Sequence, residues 1–171
     1  KRGIQMKKII GEMLVVVIAF GMFSGCSWST NINNDQPRHA SIPSIIEKIK
    51  NELELRTMEV VEGDLVSEKY HLNMDDIEEQ RIESGVINTG LETIAIVKAK
   101  DQKIDSVKEA FEKVIEDKRA SAFYPGESEA VDEAEIRVVG NYVGLFIIPD
   151  YEEGSENNAQ KAVDIFEKAL R

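Results

Sequence analysis

The sequence predicts an α+β domain: an antiparallel sheet of about four strands, built as two hairpins that each hand over to a helix, with helices packed on one face and further helices ahead of the first hairpin. Three observations carry this. Runs rich in β-branched residues come in two pairs, 81–88 with 91–100 and 135–139 with 142–148, and a glycine marks the break within each pair. After each pair the apolar residues change to a spacing of three and four. The second pair is joined by only Gly140-Asn141, a two-residue connection that favours a tight hairpin.

Taken in order, the first element is a helix over 44–55, because Ile42, Ile45, Ile46, Ile49 and Leu53 follow helical spacing and Ser44 with Glu47 can form a capping box. Residues 64–70 read as a short helix opened by Gly63 or Asp64. Residues 73–80 read as another, whose acidic first turn complements the helix dipole. The strands 81–88 and 91–100 then turn about Thr89 and Gly90. Ile104, Val107, Phe111, Val114 and Ile115 mark a helix over 102–121, with Asp101 as its N-cap. Tyr124-Pro125-Gly126 and the acids that follow predict a loop over 123–133. The strand YVGLFII, 142–148, is apolar on both faces and is expected in a covered, central position. Ala159, Ala162, Val163, Phe166, Ala169 and Leu170 mark a terminal amphipathic helix.

Ahead of this body lie a basic pair, Lys7-Lys8, an apolar run over 13–23 (MLVVVIAFGMF), and the small residues Ser24 and Gly25. That is the order of a secretory signal. The run of 11 residues falls short of the roughly 20 that span a bilayer. Phe23-Ser24-Gly25-Cys26 resembles the lipobox of bacterial lipoproteins, in which the cysteine becomes the first mature residue and carries a diacylglycerol thioether. Phe23 stands where leucine is more usual, and Glu12 sits at the edge of the apolar run. Cys26 is the single cysteine of the chain. Two acyl chains there would meet the two-signal requirement for stable anchoring. The alternative is an ordinary secretory signal followed by an unpaired thiol. Three segments are therefore expected: a signal peptide over 1–25, an Asn-, Ser-, Thr- and Pro-rich tether over 26–43, and one α+β domain over 44–171. Without its first 25 residues the chain keeps 17 Lys and Arg against 31 Asp and Glu, about −14, a surface that repels nucleic acid.

Glu92-Thr93-Ile94-Ala95-Ile96-Val97-Lys98-Ala99-Lys100-Asp101, the long helix after it, Tyr124-Pro125-Gly126 and Gly140-Asn141-Tyr142-Val143 resemble the bacterial lipoproteins grouped as domain of unknown function 4358. The resemblance runs from about Ile45 to the C-terminus. It implies a surface-exposed Gram-positive lipoprotein with a small α/β domain, and it implies no activity. Thr93 departs from the pattern, since the acid is there more often followed directly by the isoleucine-alanine pair.

The common catalytic signatures are missing: no Gly-x-Ser-x-Gly, His-Glu-x-x-His, Walker loop or Gly-x-Gly-x-x-Gly occurs. No cofactor is expected. His71, at the end of a short helix, suits its C-terminal dipole; His39 falls in the tether. Asp75, Asp76, Glu78 and Glu79 could hold a hard cation weakly but read as a solvated helix start, and no metal is expected. Glu92 opens an apolar strand and is expected either to pair with Lys98 or Arg137 or to contact a ligand. Tyr124, Tyr142, Phe146 and Tyr151 surround the second hairpin, where tyrosines can stack on sugars or pack peptides. The resulting expectation is a non-enzymatic binding or accessory module anchored to the membrane at Cys26, with Glu92, Tyr124 and Tyr142 as ligand contacts and a cell-wall fragment or a protein as partner. Two alternatives stay open: a cell-envelope hydrolase using carboxylates alone, and a purely structural envelope protein.

Overall fold

The computed structural model describes residues 40–86, 91–150 and 157–171. Along the chain come α1 (Ile42–Glu52), β1 (Met58–Val60), α2 (Asp64–Tyr70), a 3-10 turn (Met74–Asp76), β2 (Ile77–Gly85), β3 (Thr93–Ala99), α3 (Ile104–Ser121), α4 (Pro125–Asp132), β4 (Glu135–Val139), β5 (Tyr142–Ile147) and α5 (Asn158–Leu170). The strands form one antiparallel sheet in the order β1-β2-β3-β5-β4. The expected α+β class and both hairpin partnerships are present. The turn expected at Thr89 and Gly90 lies outside the described residues, as do Cys26, the signal segment, the tether up to residue 39, and Tyr151.

β3 lies at the centre of the sheet, and its composition explains the layering. Along TIAIVKA the side chains alternate between faces. Ala95, Val97 and Ala99 meet Val107, Phe111 and Val114 of α3, while Ile94 and Ile96 meet Ile45, Ile46 and Ile49 of α1 and Phe166 of α5. Helices therefore cover both faces, α2, α3 and α4 on one and α1 and α5 on the other, where one covered face was expected. The double-sided apolar character seen in YVGLFII extends to β3, and a strand with two apolar faces needs two covers. β5 lies between β3 and β4 with Val143, Leu145 and Phe146 buried, as its sequence requires.

The sheet has a fifth strand because β1 adds to the free edge of β2, with Met58 opposite Gly85 and Val60 opposite Glu83. Three residues are too few to show a period of two.

Four local expectations change. α1 starts earlier, at Ile42: the Ser41 hydroxyl accepts from the Ser44 amide at 3.4 Å, so Ser41 and not Ser44 is the cap, and Pro43 occupies the first turn, where its missing N–H is no loss. The helix expected over 73–80 reduces to the 3-10 turn, with Asn73 accepting from the Asp75 amide, and Ile77 already opens β2. α3 begins at Ile104 with Lys103 at its cap, so Asp101 lies outside the helix. The acid-rich stretch 123–133 is not a loop but contains α4. Pro125 sits in its first turn, and the Glu127 carboxylate accepts from the amides of Phe123 at 3.0 Å and Tyr124 at 3.3 Å. Ala130 and Val131 then bury one side of that helix, which rewards the helical form over a loop.

Candidate functional site

α2 and α3 do not close completely over the sheet. Between them and β2 lies a cleft of about 450 Å³, within the range of small-molecule sites. Its construction follows from the pattern of α3. Val107, Phe111 and Val114 form the buried stripe of that helix, and the next position at the same spacing is Lys118, followed by Ser121. A cation with a long stem thus stands where the period asks for an apolar residue. The helix cannot seal against α2 at that level, and Lys118 and Ser121 line the opening.

From α2 the cleft receives Leu65, Glu68, Lys69 and Tyr70, and just ahead of that helix Val61. Tyr70 is buried, and its hydroxyl hydrogen-bonds with the side chains of Thr93 and Ser84, fixing the ring to the sheet. Burial raises the pKa of Tyr70 against the opposing effect of those hydrogen bonds. From β2 come Ser84 and Gly85. His71 caps the end of α2 with its backbone in the left-handed conformation (φ 55°), and its imidazole reaches α3. His71 Nε2 lies 2.7 Å from Asp117 Oδ2, a contact that holds the two helices together beside the cleft.

The electrostatics centre on Lys118. Burial, reinforced by the positive charge of Lys69, pulls its ammonium down to about 8 from the ordinary lysine value. The carboxylates of the cleft, Glu68 and Asp117, lie in exposed positions. The buried carboxylates that do shift belong elsewhere. Glu83 lies on the opposite face with Lys50 and Arg81, and Asp76 lies at the foot of α3 with Lys103 and Ser106.

The three ligand contacts expected from the sequence do not converge. Glu92 is buried at the start of β3, and its backbone carbonyl accepts from the Gly85 amide at 2.9 Å. Because Thr93 faces Tyr70, the preceding Glu92 is directed to the opposite face, where it crowds Gly85: a Cβ there would lie 3.1 Å from Glu92 Cβ and 3.2 Å from its Oε2. The expected partners of Glu92 are engaged elsewhere, Lys98 with Glu78 and Arg137 with Glu167 and Glu135. Tyr142 pairs in register with Lys98 at the far end of β3, about 20 Å from Glu92 at the ordinary rise per residue, and packs against the α1 and α5 face. Tyr124 caps α4 on the other side and is exposed beside an exposed Phe123. Phe146 is fully buried against the ring of Phe166, at a centroid distance of 5.6 Å, and is a core residue.

The acids of 75–79 disperse in the same way. Asp76 turns inward to Lys103 and Ser106, Glu78 pairs with Lys98, and Glu79 stays exposed. Among the described residues no three His, Cys, Asp or Glu side chains come together as a metal cage, and no helix is long and apolar enough to cross a membrane.

Reading the chain as strands and caps misses Lys69, Tyr70, Ser84 and Lys118. One signal for them was present. A lysine that continues the apolar stripe of a helix marks a place where the stripe opens onto something polar.

A family model described as "Domain of unknown function (DUF4358)" matches residues 51–148. No curated protein and no solved structure matches the chain. The matched segment contains every residue that lines the cleft and excludes α5 and most of α1.

Proposed function

The chain belongs to the DUF4358 family, and from that premise we propose that it is a lipid-anchored, extracytoplasmic binding module whose ligand site is the cleft between α2 and α3. The observation that carries the reading is the cleft itself: a space of about 450 Å³ with apolar walls from Val61, Leu65 and Val114 and polar groups from Ser84, Lys69 and Lys118. Small-molecule sites combine these two features, apolar area for affinity and a few polar groups for orientation. A binding role is favoured over hydrolysis by carboxylates because the acids that line the cleft, Glu68 and Asp117, are exposed, while the buried acids Asp76, Glu83, Glu92 and Glu127 lie outside its lining, the first two in ion pairs that hold their pKa values low.

In this proposal Cys26 carries the lipid, the residues between it and Ala40 form the tether to α1, and the domain presents its cleft on the outer side of the membrane. Support for the anchor comes from the order of basic pair, apolar run, small residues and cysteine. Mass spectrometry of membrane-extracted protein tests it, with Cys26→Ala as control. A mature N-terminus at Cys26 bearing a diacylglycerol mass is expected, and cleavage elsewhere with a free thiol would remove the anchor from the proposal. The cleft is tested by titrating small apolar and amphiphilic probes while following the amide resonances of Val61, Ser84 and Ser121. Shifts confined to these residues and their neighbours are expected; probes that shift only Tyr124 and Tyr142 would move the site to the second hairpin.

A further inference from the structure

We infer that the cleft takes an organic anion, with a carboxylate or phosphate group held between Lys69 and Lys118 and a short apolar body laid on Val61, Leu65 and Val114; this rests on the binding-module reading above. Glu68 and Asp117 also line the cleft, both from exposed positions and Asp117 engaged with His71, and Lys69 and Lys118 are the two cations set among them. They come from different helices and interact with each other, since the charge of Lys69 disfavours that of Lys118. An anion between two such groups relieves their repulsion and gains charge-assisted hydrogen bonds from both.

The apolar half has its own evidence. Leu65 is 44 % exposed on the first turn of α2 and lines the cleft with Val61 and the buried Val114. That surface is left open to water where a short hydrocarbon would cover it. At about 30 Å³ for each water-sized atom the space holds roughly 15 non-hydrogen atoms, which suits an anion with a body of several carbons and excludes a polymer lying inside it.

The groups around Lys118 set the pH dependence. α2 presents Glu68, Lys69 and Tyr70, and α3 presents Asp117, which is engaged with His71 Nε2. Bound anion favours the protonated amine, so affinity is full below about pH 8 and declines as Lys118 gives up its proton above it.

The test titrates the full chain with hexanoate, with hexanol as its uncharged counterpart and with inorganic phosphate, followed by calorimetry and by the amide resonances of the cleft. Hexanoate is expected to bind most tightly of the three, with its resonance shifts at Val61, Ser84 and Ser121. Lys118→Met and Lys69→Met are each expected to weaken it by about tenfold, Lys118→Arg to restore it, and a rise from pH 7 to pH 9.5 to weaken the wild type but not Lys118→Met. Lys69 lies on an exposed helix position, so its variant keeps the fold intact for the comparison. Hexanol binding as tightly as hexanoate, with no change in Lys118→Met, would overturn the anion while leaving the cleft a binding site. Phosphate binding more tightly than hexanoate would overturn the apolar half. Failure of all three probes to shift the cleft would overturn this inference and the binding reading together.

Discussion

Lys50 Nζ of α1 and Glu83 Oε2 of β2 lie 2.8 Å apart, joining residues 33 positions distant in sequence and fixing the first helix to the sheet. Arg81 Nη2 reaches the other carboxylate oxygen at 2.7 Å, and the Glu83 side chain is 2 % exposed. Burial alone would raise the pKa of this carboxyl, but the hydrogen bonds from Lys50 and Arg81 outweigh it and hold the group below its usual value. A carboxyl with a lowered folded pKa contributes stability that is present above the unfolded value, about 4.3, and lost as pH falls through the folded one. Removing one partner of a fully buried pair costs about 3–5 kcal/mol. Here Arg81 remains and Lys50 is partly exposed, so Lys50→Met is expected to cost about 1–2 kcal/mol at pH 7. Urea unfolding should show that difference shrinking as pH falls through the lowered value of Glu83; a difference that persists once the carboxyl is protonated would mean the loss is packing of the lysine stem and not charge.

Asp76 makes the corresponding link on the other face. Its carboxylate meets Lys103 Nζ at 2.9 Å, accepts from the Ser106 hydroxyl at 2.9 Å, and its backbone carbonyl accepts from the Lys100 amide, so the 3-10 turn is tied to the start of α3. The hydrogen bonds from Lys103 and Ser106 hold its pKa down against burial. Asp76→Asn is expected to lower the urea midpoint at pH 7, and the wild type and variant curves should converge as pH falls through the lowered value. A separation that stays constant from pH 7 to pH 3 would show that the charge of Asp76 contributes nothing.

The same substitution at two glycines should act in opposite directions. A Cβ on Gly144 would lie 2.7 Å from the ring of Phe146, which is itself confined by Phe166. Gly144→Ala is therefore expected to destabilise by about 1–3 kcal/mol, the usual range for overpacking. A Cβ on Gly126, in α4, would have nothing within 4 Å. Gly126→Ala is expected to stabilise by about 0.5–1 kcal/mol by restricting the unfolded chain and improving helix propensity. Thermal melts of the two variants decide both, and equal shifts of the same sign would contradict the packing assigned to Phe146.

Much of this architecture is readable from residue spacing, and what is not has physical reasons. The apolar stripe Val107-Phe111-Val114 announces α3, and Gly140-Asn141 announces the hairpin of β4 and β5, because both signals lie within a few residues of one another. β1 is invisible because its three residues owe their extended form to the edge of β2. α4 reads as a loop because Tyr124-Pro125-Gly126 has turn composition. Only the reach of Glu127 back to the amides of Phe123 and Tyr124, and the burial of Ala130 and Val131, make it helical. The placement of Glu92, Tyr124 and Tyr142 depends on which face and which end of the sheet each occupies. That depends on the strand order, with β5 inserted between β3 and β4, which no local pattern encodes. Lys118 was the exception, a local signal in plain view on the stripe of α3.

Lys118 also yields the prediction that separates a structural lysine from a functional one. Its amine titrates at about 8 in the folded chain, below the unfolded lysine value of about 10.4, so the folded state disfavours the ammonium. Between those two values the unfolded chain binds more protons, and stability rises with pH; below about 8 the full penalty is present. Because the side chain is only partly covered, Lys118→Met is expected to stabilise the protein at pH 7 by about 1–2 kcal/mol, and to abolish the rise in stability expected of the wild type from pH 8 to pH 10. Urea unfolding at pH 7, 8.5 and 10 reads both effects. A less stable Lys118→Met at pH 7 would mean that the contacts of the lysine outweigh its burial, making it part of the architecture. A more stable variant that no longer binds hexanoate would show the opposite balance, a charge kept in the cleft at the expense of stability because the ligand needs it.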